Sequence, residues 1–331
     1  MNSENRDYLV TGGNGYIGSH MCRLLAEKGL NFAFIDNYSS SPSKPMHKYG
    51  TFFEGDLSDK SFIAELMKNI RPKYIFHFAG SALVGESEQN PISYYQNNFS
   101  ASLNLVDAFM KYGGRKFIFS STCATYGTPN EQEKISELHS QKPINAYGNS
   151  KLLIELMLKD LSRLNLLDVV CLRYFNVAGN HPDGEIGENH DPETHLIPNL
   201  IKSYLSSGKQ SFSIYGDKHP TKDGTCVRDF VHVEDLVQAH YQALDYIKDR
   251  EGCYAFNLGS EKGYSVKDVL ASFEKIVQEK METTVAPARE GDPPYLVADS
   301  TNAKNELGFS PRYTLEDCIK HSLNFFKKSD Q

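Results

Sequence analysis

Tyr147 and Lys151, in the run Asn145-Ala146-Tyr147-Gly148-Asn149-Ser150-Lys151, are the residues whose types and spacing could do acid–base chemistry. On a helix, residues four apart lie on one face, so phenol and ammonium would stand one turn apart. A free tyrosine is protonated at neutrality, with a pKa of about 10, but a cation within ~4–6 Å favours the phenolate and lowers that value. A phenol activated in this way can take a proton from a hydroxyl group. The spacing alone is also that of a solvated helix face, and it occurs again from Tyr112 to Lys116. There Gly113-Gly114 should end the helix and turn the two side chains apart, which makes the second pair an internal control. Thr122, after Phe119-Ser120-Ser121, offers a hydroxyl that donates and accepts. It could relay a proton between a substrate and Tyr147, or simply cap a strand end.

These residues need a scaffold, and the chain opens with one. Tyr8-Leu9-Val10 reads as the end of an apolar strand, Thr11-Gly12-Gly13-Asn14-Gly15-Tyr16-Ile17-Gly18 as a turn, and Ile17, Met21, Leu24 and Leu25 as the apolar face of a helix. In such a strand–turn–helix unit Gly12 permits the tight turn, Gly15 lets backbone N–H groups approach a pyrophosphate, and Gly18 allows close helix–strand packing. The spacing is G-x-x-G-x-x-G rather than the broader G-x-G-x-x-G. Phe32-Ala33-Phe34-Ile35-Asp36 then reads as a second strand ending in a carboxylate suited to a ribose 2′-OH, which predicts NAD rather than NADP. Asp36-Asn37 could also begin a turn.

Strand patterns recur at residues 51–54, 74–78, 116–120 and 168–173, with helical patterns over 60–70, 92–112 and 146–164. That alternation predicts an α/β fold, a doubly wound Rossmann-type parallel sheet. Small residues end two of its strands, at Phe78-Ala79-Gly80 and Ser120-Ser121-Thr122, where a nicotinamide would need room. His77, inside an apolar strand, reads as a core histidine. Beyond Gly179 the pattern breaks. Residues 1–179 are therefore expected to form the dinucleotide-binding lobe and 180–331 a smaller α/β substrate lobe, with 228–258 returning to the first.

The chain has 331 residues, 40% hydrophobic and 23% charged, enough for a large core. A net charge of −7 argues against nucleic acid and anionic membrane partners. No apolar run approaches the ~18 residues of a membrane span, residues 1–7 do not read as a signal peptide, and six scattered cysteines show no paired spacing. A reducing cytoplasm without disulfides is the expectation.

Together, residues 11–18, Asp36-Asn37, Gly55-Asp56-Leu57, 77–80, Val84-Gly85-Glu86-Ser87, 120–127, 147–151, 172–179 and 289–292 resemble the extended short-chain dehydrogenase/reductase superfamily. Within it, their order over nearly the whole chain resembles the UDP-glucose 4-epimerase family. The resemblance implies Tyr147 as base, Lys151 on the nicotinamide ribose and Thr122 at the family's Ser/Thr position. It implies that NAD is met by Gly12, Gly15, Tyr16, Ile17, Gly18, Asp36, Asn37, Asp56, Leu57, Phe78, Ala79, Gly80, Asn97 and Tyr174. For UDP-glucose and UDP-galactose it implies Asn176, His195, Leu196, Tyr215, Arg228, Arg289, Asp292 and Leu296, with the arginines on the diphosphate, and it implies a homodimer formed through helices 92–112 and 146–164.

Some residues depart from or compete with this reading. A nucleotide-sugar 4,6-dehydratase would carry Asp-Glu after the strand-end threonine, where this chain has Cys123-Ala124, and a sensor with a dead site would be expected to lose Tyr147 or Lys151. Ala82 stands where many relatives carry a lysine. Leu296 aligns with the position that gates sugar size, filled by tyrosine in strict UDP-glucose enzymes and by a small residue in those that accept N-acetylated sugars. Finally, His181, Glu185, Glu188, His190, Asp191, Glu193 and His195 crowd one segment, but Pro182, Gly184, Gly187 and Pro192 interrupt it. A solvated loop with no metal is the expectation.

Overall fold

The computed structural model describes residues 5–39, 48–129, 133–188, 190, 192–206, 211–289 and 291–329. In chain order the strands are β1 (Tyr8–Thr11), β2 (Phe32–Asp36), β3 (Thr51–Glu54), β4 (Tyr74–His77), β5 (Lys116–Thr122), β6 (Asp168–Tyr174), β7 (Asn176–Ala178), β8 (Phe212–Tyr215), β9 (Val227–His232), β10 (Cys253–Leu258), β11 (Gly263–Ser265), β12 (Thr283–Ala286) and β13 (Tyr295–Leu296).

Seven of them form one parallel sheet in the order β10-β6-β5-β4-β1-β2-β3. Its central strands are apolar runs because helices cover both faces, as parallel sheets require. On one face Val10, Phe34, Phe76 and Ile118 pack against helices Tyr16–Glu27 and Val233–Lys248. On the other, Leu9, Ile75, Phe117 and Val169 meet Lys60–Ile70, Ala101–Lys111 and Ala146–Arg163. The chain winds outward from β1 to β3 and then, from β4, the opposite way. The crevice lies at this reversal, outside the carboxyl ends of β1 and β4.

One expected helix differs. Residues 91–111 run on without a break but not as a uniform α-helix: Pro91–Tyr94 is followed by a widened, π-type turn at Tyr95–Ser100 and then by the α-helix Ala101–Lys111. Such a turn admits an extra residue without ending the helix, so the apolar periodicity hardly records it.

The second lobe has its own core, in which helices Leu196–Leu205, Val266–Val277 and Leu315–Ser329 enclose Ile197, Ile201, Phe230, Phe273 and Ile319. Its small sheet runs β11-β9-β13, with β7 also on β9, and β8 pairs with β12 beside it. The expectation that 228–258 returns whole to the first lobe needs correction. Strand β9 stays in the second-lobe sheet, and only helix Val233–Lys248 and β10 cross back. The short apolar pair Phe230-Val231 in β9 is buried and would suit either sheet, so it does not distinguish them.

Candidate active site

Helix Ala146–Arg163 starts at Asn145, whose side chain accepts the Gly148 N–H at 2.8 Å, and this cap sets Tyr147 and Lys151 in the first turns. Both side chains are buried. Lys151 Nζ donates to the Ser120 carbonyl at 3.1 Å and sits 5.1 Å over the Phe119 ring. Thr122 ends β5, where its hydroxyl accepts the Ala124 N–H at 3.2 Å and lies close enough to Tyr147 to favour the ionised phenol. The cap is thus made, and the same hydroxyl stands beside the phenol. Tyr174, beside Thr122 in the sheet, shares a 2.5 Å hydrogen bond with Ser120 and lies near Tyr147. By contrast Tyr112 ends its helix, and Lys116 opens β5, as the control anticipated.

The electrostatics differ from the expectation. Burial pushes the Tyr147 phenol well above its ordinary range, reinforced by Tyr174, with the Thr122 hydrogen bond pulling the other way. Burial also lowers the Lys151 ammonium to about 8. In the protein by itself burial, not the lysine, governs the phenol.

A helix that packs Tyr147 against the sheet needs anchoring. Glu155, two turns further on, is buried and takes Arg173 of β6 in a bidentate pair, with Nη2–Oε2 at 2.6 Å and Nε–Oε1 at 3.0 Å. Ser121 donates to the same carboxylate at 2.5 Å, and Arg173 continues to the Tyr126 hydroxyl at 2.9 Å. This network was missed in the sequence, because its members are scattered over four elements.

The residues present fit a dinucleotide. Gly12 has φ +69°, and a Cβ there would stand 2.8 Å from the Ala79 nitrogen; one at Gly18 would stand 2.0 Å from the Gly12 carbonyl. Only glycine permits this turn, which leaves the first-turn N–H groups, those of Tyr16 and Ile17 included, for a phosphate. Asp36 ends β2 with its carboxylate turned to that turn, accepting from Asn14 N at 2.9 Å and Tyr38 N at 2.8 Å. Beside it Asn37 donates to Asp56 at 2.7 Å, and Leu57 is buried. A Cβ at Gly80 would come 3.5 Å from Lys151 Nζ, so the strand end at Phe78-Ala79-Gly80 and the lysine converge. Asn97 donates to Ser81 at 2.8 Å. Its neighbour Asn98 went unnoticed in the sequence, although it is buried, accepts from Ser81 N at 2.8 Å and donates to Ser150 at 3.0 Å, tying the Gly80 loop to the catalytic helix. Tyr16 spends its phenol on the Gly179 carbonyl, and Ala82 is exposed. His77 is a core histidine, bonded at 2.7 Å to both Thr11 and Ser102.

On the second lobe Arg228 of β9 forms an ion pair with Asp292, and Leu296 of β13 lies beside Arg228 in register, packed with Cys123, Tyr126 and Phe175. Arg289 stacks 4.5 Å over the half-exposed Tyr215 ring. Asn176 is half-buried on β7, and His195 precedes Leu196 at the start of helix Leu196–Leu205. The polar segment before it is not the solvated loop expected. Glu188 is buried against His195 at 2.8 Å, which holds that carboxyl down at about 2 and raises the imidazole to about 10. Asp191 lies outside the described residues.

Residues 8–259 match the NAD dependent epimerase/dehydratase family. The chain belongs to that family. It is 41% identical over 323 residues to a UDP-glucose 4-epimerase of Rhizobium leguminosarum bv. trifolii, covering 98% of both chains. The UDP-glucose 4-epimerase of Brucella ovis, solved in complex with NAD, is 40% identical with a TM-score of 0.90, over 97% of this chain and 98% of that one. The UDP-Glc/GlcNAc 4-epimerase of Campylobacter jejuni is 38% identical with a TM-score of 0.83, over 98% of this chain and 100% of that one. Family membership thus agrees with a sheet whose switch point carries a glycine turn and whose flank carries the Tyr147–Thr122–Lys151 group.

Proposed function

We infer that the chain is a UDP-glucose 4-epimerase that works with NAD, interconverting UDP-glucose and UDP-galactose through a 4-keto sugar. The observation that carries the reading is the buried Tyr147 phenol beside Thr122, with Lys151 one turn away on the same helix, at the carboxyl end of β5. Bound NAD supplies a hydride acceptor and donor, and in its oxidised form a positive charge. Tyr147 takes the proton of the sugar 4-hydroxyl and later returns it, and Thr122 holds that oxygen in line with the phenol. Burial holds the phenol protonated until positive charge is added beside it, which ties proton removal to a loaded site. Lys151 keeps its ammonium on the Ser120 carbonyl and toward Gly80, where a ribose hydroxyl would lie.

Arg228 and Arg289 are assigned to the diphosphate, Asp292 and Asn176 to the nucleotide, and Tyr215, His195, Leu196 and Leu296 to the walls around uracil and sugar. Asp36 selects NAD, with Asn37, Asp56 and Leu57 on the adenosine side and Phe78, Ala79, Asn97 and Tyr174 around the nicotinamide half. A dehydratase is disfavoured on a specific ground: Cys123, in place of a carboxylic acid, is buried and its thiol is raised to about 12. UDP-N-acetylglucosamine remains the alternative substrate, favoured by the likeness to the Campylobacter enzyme.

No helix among the described residues is long and apolar enough to cross a membrane. We place the enzyme in the cytoplasm as a homodimer. The cysteines of the described residues are all unpaired, and Leu103, Leu153 and Leu156 are exposed on the two helices assigned to the dimer. The test of function is incubation of the purified protein with UDP-galactose, UDP-glucose and their N-acetyl counterparts, with products resolved by NMR. Inversion at C4 is expected; loss of water across C5 and C6, or no turnover, would overturn the reading.

A further inference from the structure

The segment leading into helix Leu196–Leu205 brings together four side chains that proton transfer does not use: Glu188, His190, Glu193 and His195. His195 Nδ1 lies 2.8 Å from a Glu188 oxygen and 2.9 Å from a Glu193 oxygen, and His190 Nδ1 lies 3.3 Å and 3.9 Å from the same two carboxylates. One ligand atom from each residue falls within 4.8 Å of the others. A tetrahedral ion with nitrogen and oxygen ligands at ~2.0–2.2 Å sets its donors about 3.4 Å apart, within the range these pairs span.

A second observation points to a missing partner. Glu193 has only 4% of its side chain exposed, yet its Oε2 has no hydrogen-bond partner, and neither does the buried Nδ1 of His190. A buried carboxylate oxygen left unmade costs about 1–3 kcal/mol or more, so an orphan facing three other donors asks for a ligand.

We propose that Glu188, His190, Glu193 and His195 form a binding site for a divalent transition metal of the zinc type. Two imidazoles and two carboxylates balance the charge of such an ion, whereas magnesium and calcium favour all-oxygen sets with more ligands. On binding, the N–H bond of the protonated His195 breaks, its proton passes to solvent, and the freed lone pair is donated to the metal. The role is structural. Glu188 is held through its N–H to Asn180 at 3.3 Å, His190 stands edge-on to the Tyr16 ring, and His195 begins helix Leu196–Leu205. The ion would fasten the substrate-lobe helix to the dinucleotide turn.

The test uses the NAD-loaded, full-length protein without a histidine tag, stripped with a chelator and titrated with Zn²⁺ and then Co²⁺. One equivalent should bind saturably, Co²⁺ should show the intense visible bands of tetrahedral coordination, and the melting temperature should rise. His190→Ala and Glu193→Gln should each weaken binding by at least ~10-fold. His181→Ala, in a separate histidine cluster with His20 and Glu234, should leave binding unchanged. Absence of saturable binding, octahedral Co²⁺ spectra, unaltered affinity in both ligand variants, or loss of binding in His181→Ala would overturn the proposal.

Discussion

In the proposed mechanism Tyr147 carries the chemistry through one oxygen, and its environment sets what that oxygen can do. Replacing it with Phe removes the proton acceptor but keeps the ring that fills the site, so kcat should fall at least ~10²-fold with fold and NAD content intact. Near-normal turnover would remove Tyr147 from the mechanism. For Lys151, burial lowers the ammonium from its ordinary 10.5 to about 8. Below pH 8 folded and unfolded chains hold this proton alike; between 8 and 10.5 the unfolded chain holds more, so the Lys151 contribution to stability rises with pH across that window. In denaturant titrations of NAD-free protein the stability of the wild type relative to Lys151→Met should rise with pH there, and a flat difference would show that the ammonium is not lowered. Leu296 packs beside Cys123, next to the proton relay. A misfit of methylene scale is worth ~1–3 kcal/mol, so Leu296→Ser should raise kcat/KM for UDP-N-acetylglucosamine about 10-fold or more and change UDP-glucose turnover much less. Parallel changes in both would mean that Leu296 does not line the sugar pocket.

At the scale of elements, the catalytic helix is positioned by its Asn145 cap and by the Glu155–Arg173 pair. Removing one partner of a buried ion pair strands the other, at a cost of about 3–5 kcal/mol. Glu155→Ala should therefore lower stability by that order in urea denaturation, and an effect below ~1 kcal/mol would show the pair to be incidental. The strands were legible in the sequence because a parallel sheet covered on both faces writes continuous apolar runs, and the glycine turn because close backbone approach demands glycine. Three features were not. The π-type turn at Tyr95–Ser100 leaves the helical periodicity almost unchanged, Glu155 meets Arg173 through tertiary packing alone, and Glu188, in a stretch of loop composition, is buried. The sheet that receives β9 was misread because a short apolar run does not say which sheet takes it.

At the scale of the whole molecule, the architecture divides labour between a rigid sheet that holds the dinucleotide turn and a second lobe that brings Arg228, Asp292 and Leu296 over the strand ends. Helix Val233–Lys248 and β10, supplied by the second half of the chain, complete the first lobe's core and sheet and so join the lobes. A reaction that removes and returns the same hydride needs such closure, since an intermediate that escaped would leave the cycle unfinished. The central claim is this transient oxidation at C4. Its most direct test is conversion of UDP-galactose deuterated at sugar C4, followed by NMR of the product. The account predicts UDP-glucose with the deuterium retained at C4; loss of the label to solvent, or a product unaltered at C4, would contradict it.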